Sequence, residues 1–277
     1  MALAPPPVTY AGTLTNARLK SYPDMETMQV SNADIFRVSP YFEDEHGRPP
    51  GRGYAVPPKG KAADPERALE ESRRRAKNAV QDIALCNRFE YMFTWTLSPE
   101  LIDRYNTDAV YRKVRAFLSH MTQRKRFRYI VIPELHKDGA IHMHGLCCLG
   151  EVALAPSIRQ NGTLRRDGKG RQVFNMTAWT WGFSTCVRLD ENYERAVNYV
   201  SKYITKSDTK IFGKWYLSSR CLKKRPDIYP LERIPYDEYK ASLEQAGQAV
   251  KETTVFREVK IISTDYKRTE SVHTKTE

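Results

Sequence analysis

The chain has no apolar run approaching the roughly 20 residues that a membrane-spanning helix needs. Its opening stretch, Met1 to Pro7, has neither the basic start nor the long apolar run of a secretory signal. No membrane partner and a cytoplasmic setting are therefore expected. Cysteine is sparse. Cys86, Cys147, Cys148, Cys186 and Cys221 are odd in number and form no C-x-x-C pair, which argues against a disulfide framework or a zinc knuckle. A P-loop is missing too. Five residues separate Gly162 from Gly168-Lys169, and Gly170 stands where Ser or Thr would follow. Acid is in deficit: 33 Asp plus Glu face 45 Lys plus Arg, a formal charge of +12. With 16 Tyr, 10 Phe and 4 Trp, that surplus suits phosphate contact and base stacking. The charge alone does not decide whether nucleic acid is bound.

At 277 residues the chain is long enough for one or two domains. Residues 1–64 read as an irregular leader or accessory region. Pro5, Pro6, Pro7, Pro49, Pro50, Pro57 and Pro58, with Gly51, Gly53 and Gly60, interrupt any long periodicity. Residues 65–226 form the main domain, and 227–277 a C-terminal extension carrying one strand, Val255 to Ile262. Asp64-Pro65 supplies an N-cap and a first helical proline, and Leu69, Ala76, Val80 and Ile83 continue at helical spacing. Arg73, Arg74, Arg75 and Lys77 read as the solvated face of that helix. Strands are expected at Tyr91 to Leu97, Phe127 to Leu135, Ala140 to Leu149 and Gly182 to Leu189. Helices are expected at Thr107 to Lys125 and Glu191 to Lys206. The turn Lys137-Asp138-Gly139 makes the middle two strands a hairpin. The order predicts an α+β domain with a largely antiparallel sheet.

Three constellations carry chemistry. In His142-Met143-His144, the strand period of two puts both imidazoles on one face and Met143 on the other. Across the hairpin, Glu134 or His136 can complete a set of two imidazoles and one oxygen suited to Mg²⁺ or Mn²⁺. Glu134 is the expected third ligand and His136 the reserve; a charge on the solvent side of the sheet is the plain alternative for Glu134. In Tyr199-Val200-Ser201-Lys202-Tyr203-Ile204-Thr205-Lys206, Tyr-x-x-Lys is written twice. Tyr199 and Tyr203 share a helix face, with Lys202 and Lys206 beside them. A tyrosine stripe is commonly core packing, but lysines are costly to bury. Ala196, Val197, Val200 and Ile204 supply the buried side instead. Third, Phe93-Thr94-Trp95-Thr96-Leu97 alternates as an amphipathic strand.

In this order the three segments resemble motifs I, II and III of the HUH rolling-circle replication initiators. Phe93 to Leu97 is similar to motif I, although Trp95 stands where a small or aliphatic residue is usual. Pro133 to Gly145 is similar to motif II, and Tyr199 to Lys206 to motif III. The resemblance is nearest to the phage gene II protein-like replication-associated family, with a paired-tyrosine motif like that of the gene A proteins of isometric phages. Gly182-Phe183-Ser184-Thr185 and Gly213-Lys214-Trp215-Tyr216-Leu217 also look like that group.

The resemblance implies a sheet of RRM-like layout. It implies a divalent metal at His142 and His144, with Glu134, and a metal-dependent endonuclease that attacks single-stranded or hairpin origin DNA. Tyr199 and Tyr203 are the nucleophile candidates, Tyr199 slightly favoured, with Lys202 and Lys206 as phosphate-side helpers. The product would be a 5′-phosphotyrosine link and a free 3′-hydroxyl. A host helicase and DNA polymerase would then act in a bacterial cytoplasm, the gene being carried by a phage, prophage or plasmid. A transposase or relaxase of the same chemistry, a nonenzymatic single-strand-binding regulator, and a zinc hydrolase using His142, His144 and Glu134 stay open.

Overall fold

The computed structural model describes residues 14–37, 64–256 and 258–267. The prolines and glycines singled out in the leader lie outside the described residues. In chain order the elements are β1 (Leu14–Thr15), β2 (Ala17–Ser21), β3 (Met25–Ser31), β4 (Phe36–Arg37), α1 (Pro65–Asn87), β5 (Tyr91–Thr96), α2 (Thr107–Lys125), β6 (Arg128–Leu135) and β7 (Ile141–Cys148). They continue with β8 (Leu154–Pro156), β9 (Val173–Met176), β10 (Ser184–Arg188), α3 (Tyr193–Lys206), β11 (Leu217–Ser218), β12 (Asp227–Pro230), α4 (Tyr236–Gln245), β13 (Lys251–Phe256) and β14 (Val259–Lys267). The fold is α+β, with four helices and two large antiparallel sheets among the described residues. The chain divides into two compact units, one drawn from Met1–Pro57 and Pro226–Glu277, the other from Pro58–Arg225.

In the first unit the strand order is β12-β2-β3-β14-β13, so segments from both ends of the chain share one sheet. Asn16 braces it, donating to the Ser31 and Ile234 carbonyls at 2.9 and 2.6 Å and accepting from the Ile234 amide. The single strand expected over Val255 to Ile262 is instead the reversal between β13 and β14, which pair with each other. The sequence concealed this turn because Phe256 to Val259 contains no Gly, Pro, Asn or Asp.

In the second unit the order is β11-β6-β7-β5-β10-β9-β8. The pleat sorts its side chains into two cores. Phe93, Trp95, Val131, Met143 and Cys147 face α2, which contributes Val110, Val114, Phe117, Leu118 and Met121. On the opposite face, Ile130, Ile132, Leu146 and Cys148 meet Val80 and Ile83 of α1 and Val197, Val200 and Ile204 of α3. Asp64 caps α1 through its bond from the Arg67 amide, and Pro65 takes the first helical position, where its missing N–H costs nothing. Asn106 caps α2 through the Ala109 amide. Trp95 packs within an aromatic cluster, parallel to Trp179 at 4.5 Å and edge-on to Phe117 at 5.4 Å. A large ring therefore fits its position in β5.

Gly145 sits at the centre of β7, where a Cβ would lie 2.2 Å from the Ile130 carbonyl oxygen and 2.5 Å from the Phe93 ring. The missing side chain lets β6 and the Phe93 ring close on the strand that carries both histidines. We expect Gly145→Ala to cost about 1–3 kcal/mol through overpacking, read as a lower urea midpoint at unchanged slope.

Candidate active site

β6 and β7 pair with Glu134 opposite His142 and Ile132 opposite His144. On the other side of β7, β5 sets Thr94 opposite His144 and Thr96 opposite His142. By alternation all five polar side chains point to the α1/α3 face, while Ile141 and Met143 fill the α2 core. His144 is held at both ring nitrogens. Its Nε2 lies 2.8 Å from Glu134 Oε2, and its Nδ1 lies 3.1 Å from Thr94 Oγ1. A carboxylate accepts only, so Nε2 carries the proton in this arrangement and Nδ1 accepts from the threonine hydroxyl.

α3 lays its C-terminal half on this pair. The Tyr203 ring stacks on His144 with centroids 3.6 Å apart and planes within 8°. Lys206 Nζ reaches Glu134 Oε1 at 3.4 Å and stands 4.6 Å from the Tyr203 ring centre. The Tyr199 and Tyr203 hydroxyls meet at 2.7 Å with their rings perpendicular. The helix period brings the two phenols together as expected, but their environments differ. Tyr199 is 51% exposed and Tyr203 only 7%. Lys202 is exposed and reaches none of these groups. His136 lies apart from the Glu134–His144 pair, its ring stacked on His142 at 4.9 Å.

Burial, only partly offset by Glu134, pushes His144 down to about 4, and burial also lowers His142. Both rings are neutral at pH 7, the form that ligates metals. Burial and the hydrogen bond with Tyr199 raise the Tyr203 phenol above its ordinary value, so Tyr203 keeps its proton, and either hydroxyl can donate in the bond between them.

The donor set suits a hard divalent cation in part. Holding a cation beside Glu134 would require His144 to take its other tautomer, with Nδ1–H donating to Thr94 Oγ1 and Nε2 free to ligate. Among the described residues, however, no three His, Cys, Asp or Glu side chains converge as a metal-binding group. His142 stands beside the pair on the same face.

Two contributors escaped the sequence reading. Thr94 orients His144 from the neighbouring strand, and its only signal was the register that sets it directly opposite. Arg73, read as part of a solvated face, instead reaches the Thr205 and Ser207 carbonyls at 3.5 and 3.4 Å, satisfying the open C-terminal end of α3. Tyr193 ties the other end, donating to the Ala84 carbonyl at 2.8 Å and accepting from the Phe89 amide.

Residues 90–208, less than half of the chain, match a family model that describes the replication-associated proteins of the ORF2 and phage gene II protein type. The match spans β5 through α3 and so contains every residue of this cluster. No curated protein and no solved structure matches the chain. Among the described residues no helix is long and apolar enough to cross a membrane.

An unfolded histidine protonates near 6.5 and the buried His144 near 4. Between those values the unfolded chain binds the extra proton, so native stability declines as pH falls from about 7 to about 4 and then levels off. We expect His144 to contribute up to about 3 kcal/mol of that loss in chelator-treated buffer. Urea unfolding should show a flatter pH dependence for His144→Gln.

Proposed function

We propose that this protein initiates rolling-circle replication of a phage or plasmid by nicking single-stranded or hairpin origin DNA with a tyrosine. The observation that carries the proposal is the meeting of the paired phenols of α3 with the Glu134–His144 pair of the β6–β7 hairpin. The match of this segment to a replication-associated family supports it.

Tyr199 is the accessible phenol and makes the attack. Its oxygen forms a bond to phosphorus, the bond from phosphorus to the 3′ oxygen breaks, and the 3′ oxygen takes up a proton. The phenol proton passes to solvent. The 5′ end stays on the enzyme as a phosphotyrosine, and the free 3′-hydroxyl primes a host polymerase behind a host helicase. Tyr203, holding its own proton, donates to the Tyr199 oxygen and stabilises charge growing there. Lys206 places a cation beside the same groups, and exposed Lys202 is free to meet backbone phosphate. His144, Glu134 and His142 would hold Mg²⁺ or Mn²⁺, which when bound supplies Lewis-acid charge at the scissile phosphate. Thr94 is a positioning residue that fixes the His144 ring. Once Tyr203 comes free, the second phenol permits a further transfer without release of the first DNA end.

A second reading, single-strand binding without cleavage, draws on Glu134 being already engaged by both His144 and Lys206. An origin-oligonucleotide assay with Mn²⁺ separates the two. Nicking with a covalent protein–DNA adduct is expected; intact DNA that remains tightly bound selects the second reading.

Tyr199→Phe should abolish the first adduct. Tyr203→Phe should keep it at a rate reduced on the order of tenfold, the worth of one hydrogen bond to a charged group. An adduct of normal yield from the double Tyr→Phe variant would remove both tyrosines from the chemistry. His144→Ala should stop nicking while leaving oligonucleotide binding, measured by fluorescence anisotropy, largely in place.

A further inference from the structure

At the β11 edge of the seven-stranded sheet a cavity of about 930 Å³ opens between α2 and β11. Its walls carry three tyrosines, Tyr111, Tyr129 and Tyr216, and three cations, Arg115, Lys214 and Arg220. Leu118, Trp215 and Leu217 interrupt an otherwise mostly polar remainder of the wall, and no carboxylate lines it. The tyrosine rings are half-buried, and all three cations are exposed. Among the described residues no ion pair engages Arg115, Lys214 or Arg220. Tyr129 and Leu217 pack on the α2 side, whereas Trp215 and Tyr216 pack with the α1/α3 core, so the groove wraps the β11 edge and shares no lining residue with the phenol cluster. Lys214 to Leu217, which the chemistry described above leaves unused, also lines the groove.

We infer that this groove binds single-stranded DNA, by phosphate contact and base stacking, as a site separate from the one at which the strand is cut. Three unpaired cations around three partly open rings, with no acid among them, form a surface that attracts a polyanion and offers its bases flat partners. A chain of stacked bases fits this lining better than an acidic peptide, which has no use for the aromatic walls. The half-buried Ser218 hydroxyl, which accepts from Lys224 Nζ and keeps its own hydrogen, adds a donor for backbone oxygens. The inference rests on the proposed work on single-stranded DNA, which brings unpaired strand to the molecule whether or not it is then cut. The groove would hold one stretch of that strand while the phenol cluster engages another.

Cys221 lines the groove and is exposed, whereas Cys86, Cys147, Cys148 and Cys186 are buried. It therefore reports on occupancy without any engineered probe. The full-length protein is alkylated with N-ethylmaleimide under native conditions, with and without saturating oligo-dT, and the Cys221 peptide is quantified by mass spectrometry. Several-fold slower alkylation with oligo-dT is expected, and a duplex of equal length should protect much less. Replacing Arg115, Lys214 and Arg220 together by Gln should weaken oligo-dT binding. It should also reduce the slope of log affinity against log salt by about 2, at about 0.7 per lost phosphate contact. Unchanged alkylation at saturating oligo-dT, equal protection by duplex, or an unchanged salt slope would each overturn the inference. Nicking is read separately on the same preparation. Nicking without Cys221 protection removes only this inference, and protection without nicking removes only the proposed cleavage.

Discussion

The whole site depends on the contact between one imidazole and one phenol ring: Tyr203 of α3 lying flat on His144 of β7. It locks the end of α3 that carries Tyr199 and Lys206 onto the β6–β7 hairpin. The histidine itself is fixed by neighbours on two strands, Glu134 in β6 and Thr94 in β5. The phenols therefore inherit their position from three adjacent strands, and the precision of the site is that of a sheet interior rather than a loop.

That arrangement explains why so much ordinary packing surrounds a small polar cluster. α3 is anchored at both ends by α1, through Tyr193 near its start and Arg73 beyond its finish. Its apolar side, Val197, Val200 and Ile204, meets Ile130, Ile132 and Leu146 of the sheet. Two rows of alternation on β7 do different work. Met143 joins the α2 core, while His142 and His144 face the helix that bears the tyrosines. Gly145 then allows the sheet to close where a side chain would hold β6 away.

Much of this was legible in the sequence because it is governed by local periods. The helix Thr107 to Lys125 is found with the bounds expected of it, and the strands that carry Trp95, Glu134 and His144 lie within a residue or two of theirs. The hairpin turn sets Glu134 opposite His142, and the carboxylate then reaches diagonally to His144, a choice between the two imidazoles that the turn residues do not make. The sequence could not show the unequal burial of Tyr199 and Tyr203, since a helix period places residues on a face without saying how far a sheet edge covers it. Nor could it show Arg73 at the end of α3, a contact between positions 132 residues apart in the chain. The β13–β14 reversal was hidden for a different reason: the sequence between the two strands holds none of the residue types that mark a turn.

The paired phenols also bear on the order of events. Tyr199 stands in solvent and Tyr203 is wedged against an imidazole, so the two are not interchangeable at rest. On the proposed chemistry, handing a DNA end from the first to the second means prising a ring off the very histidine that anchors the cluster. The enzyme would then carry its own sequence of turns: an outer residue that begins each round, and an inner one released only after the first has been spent.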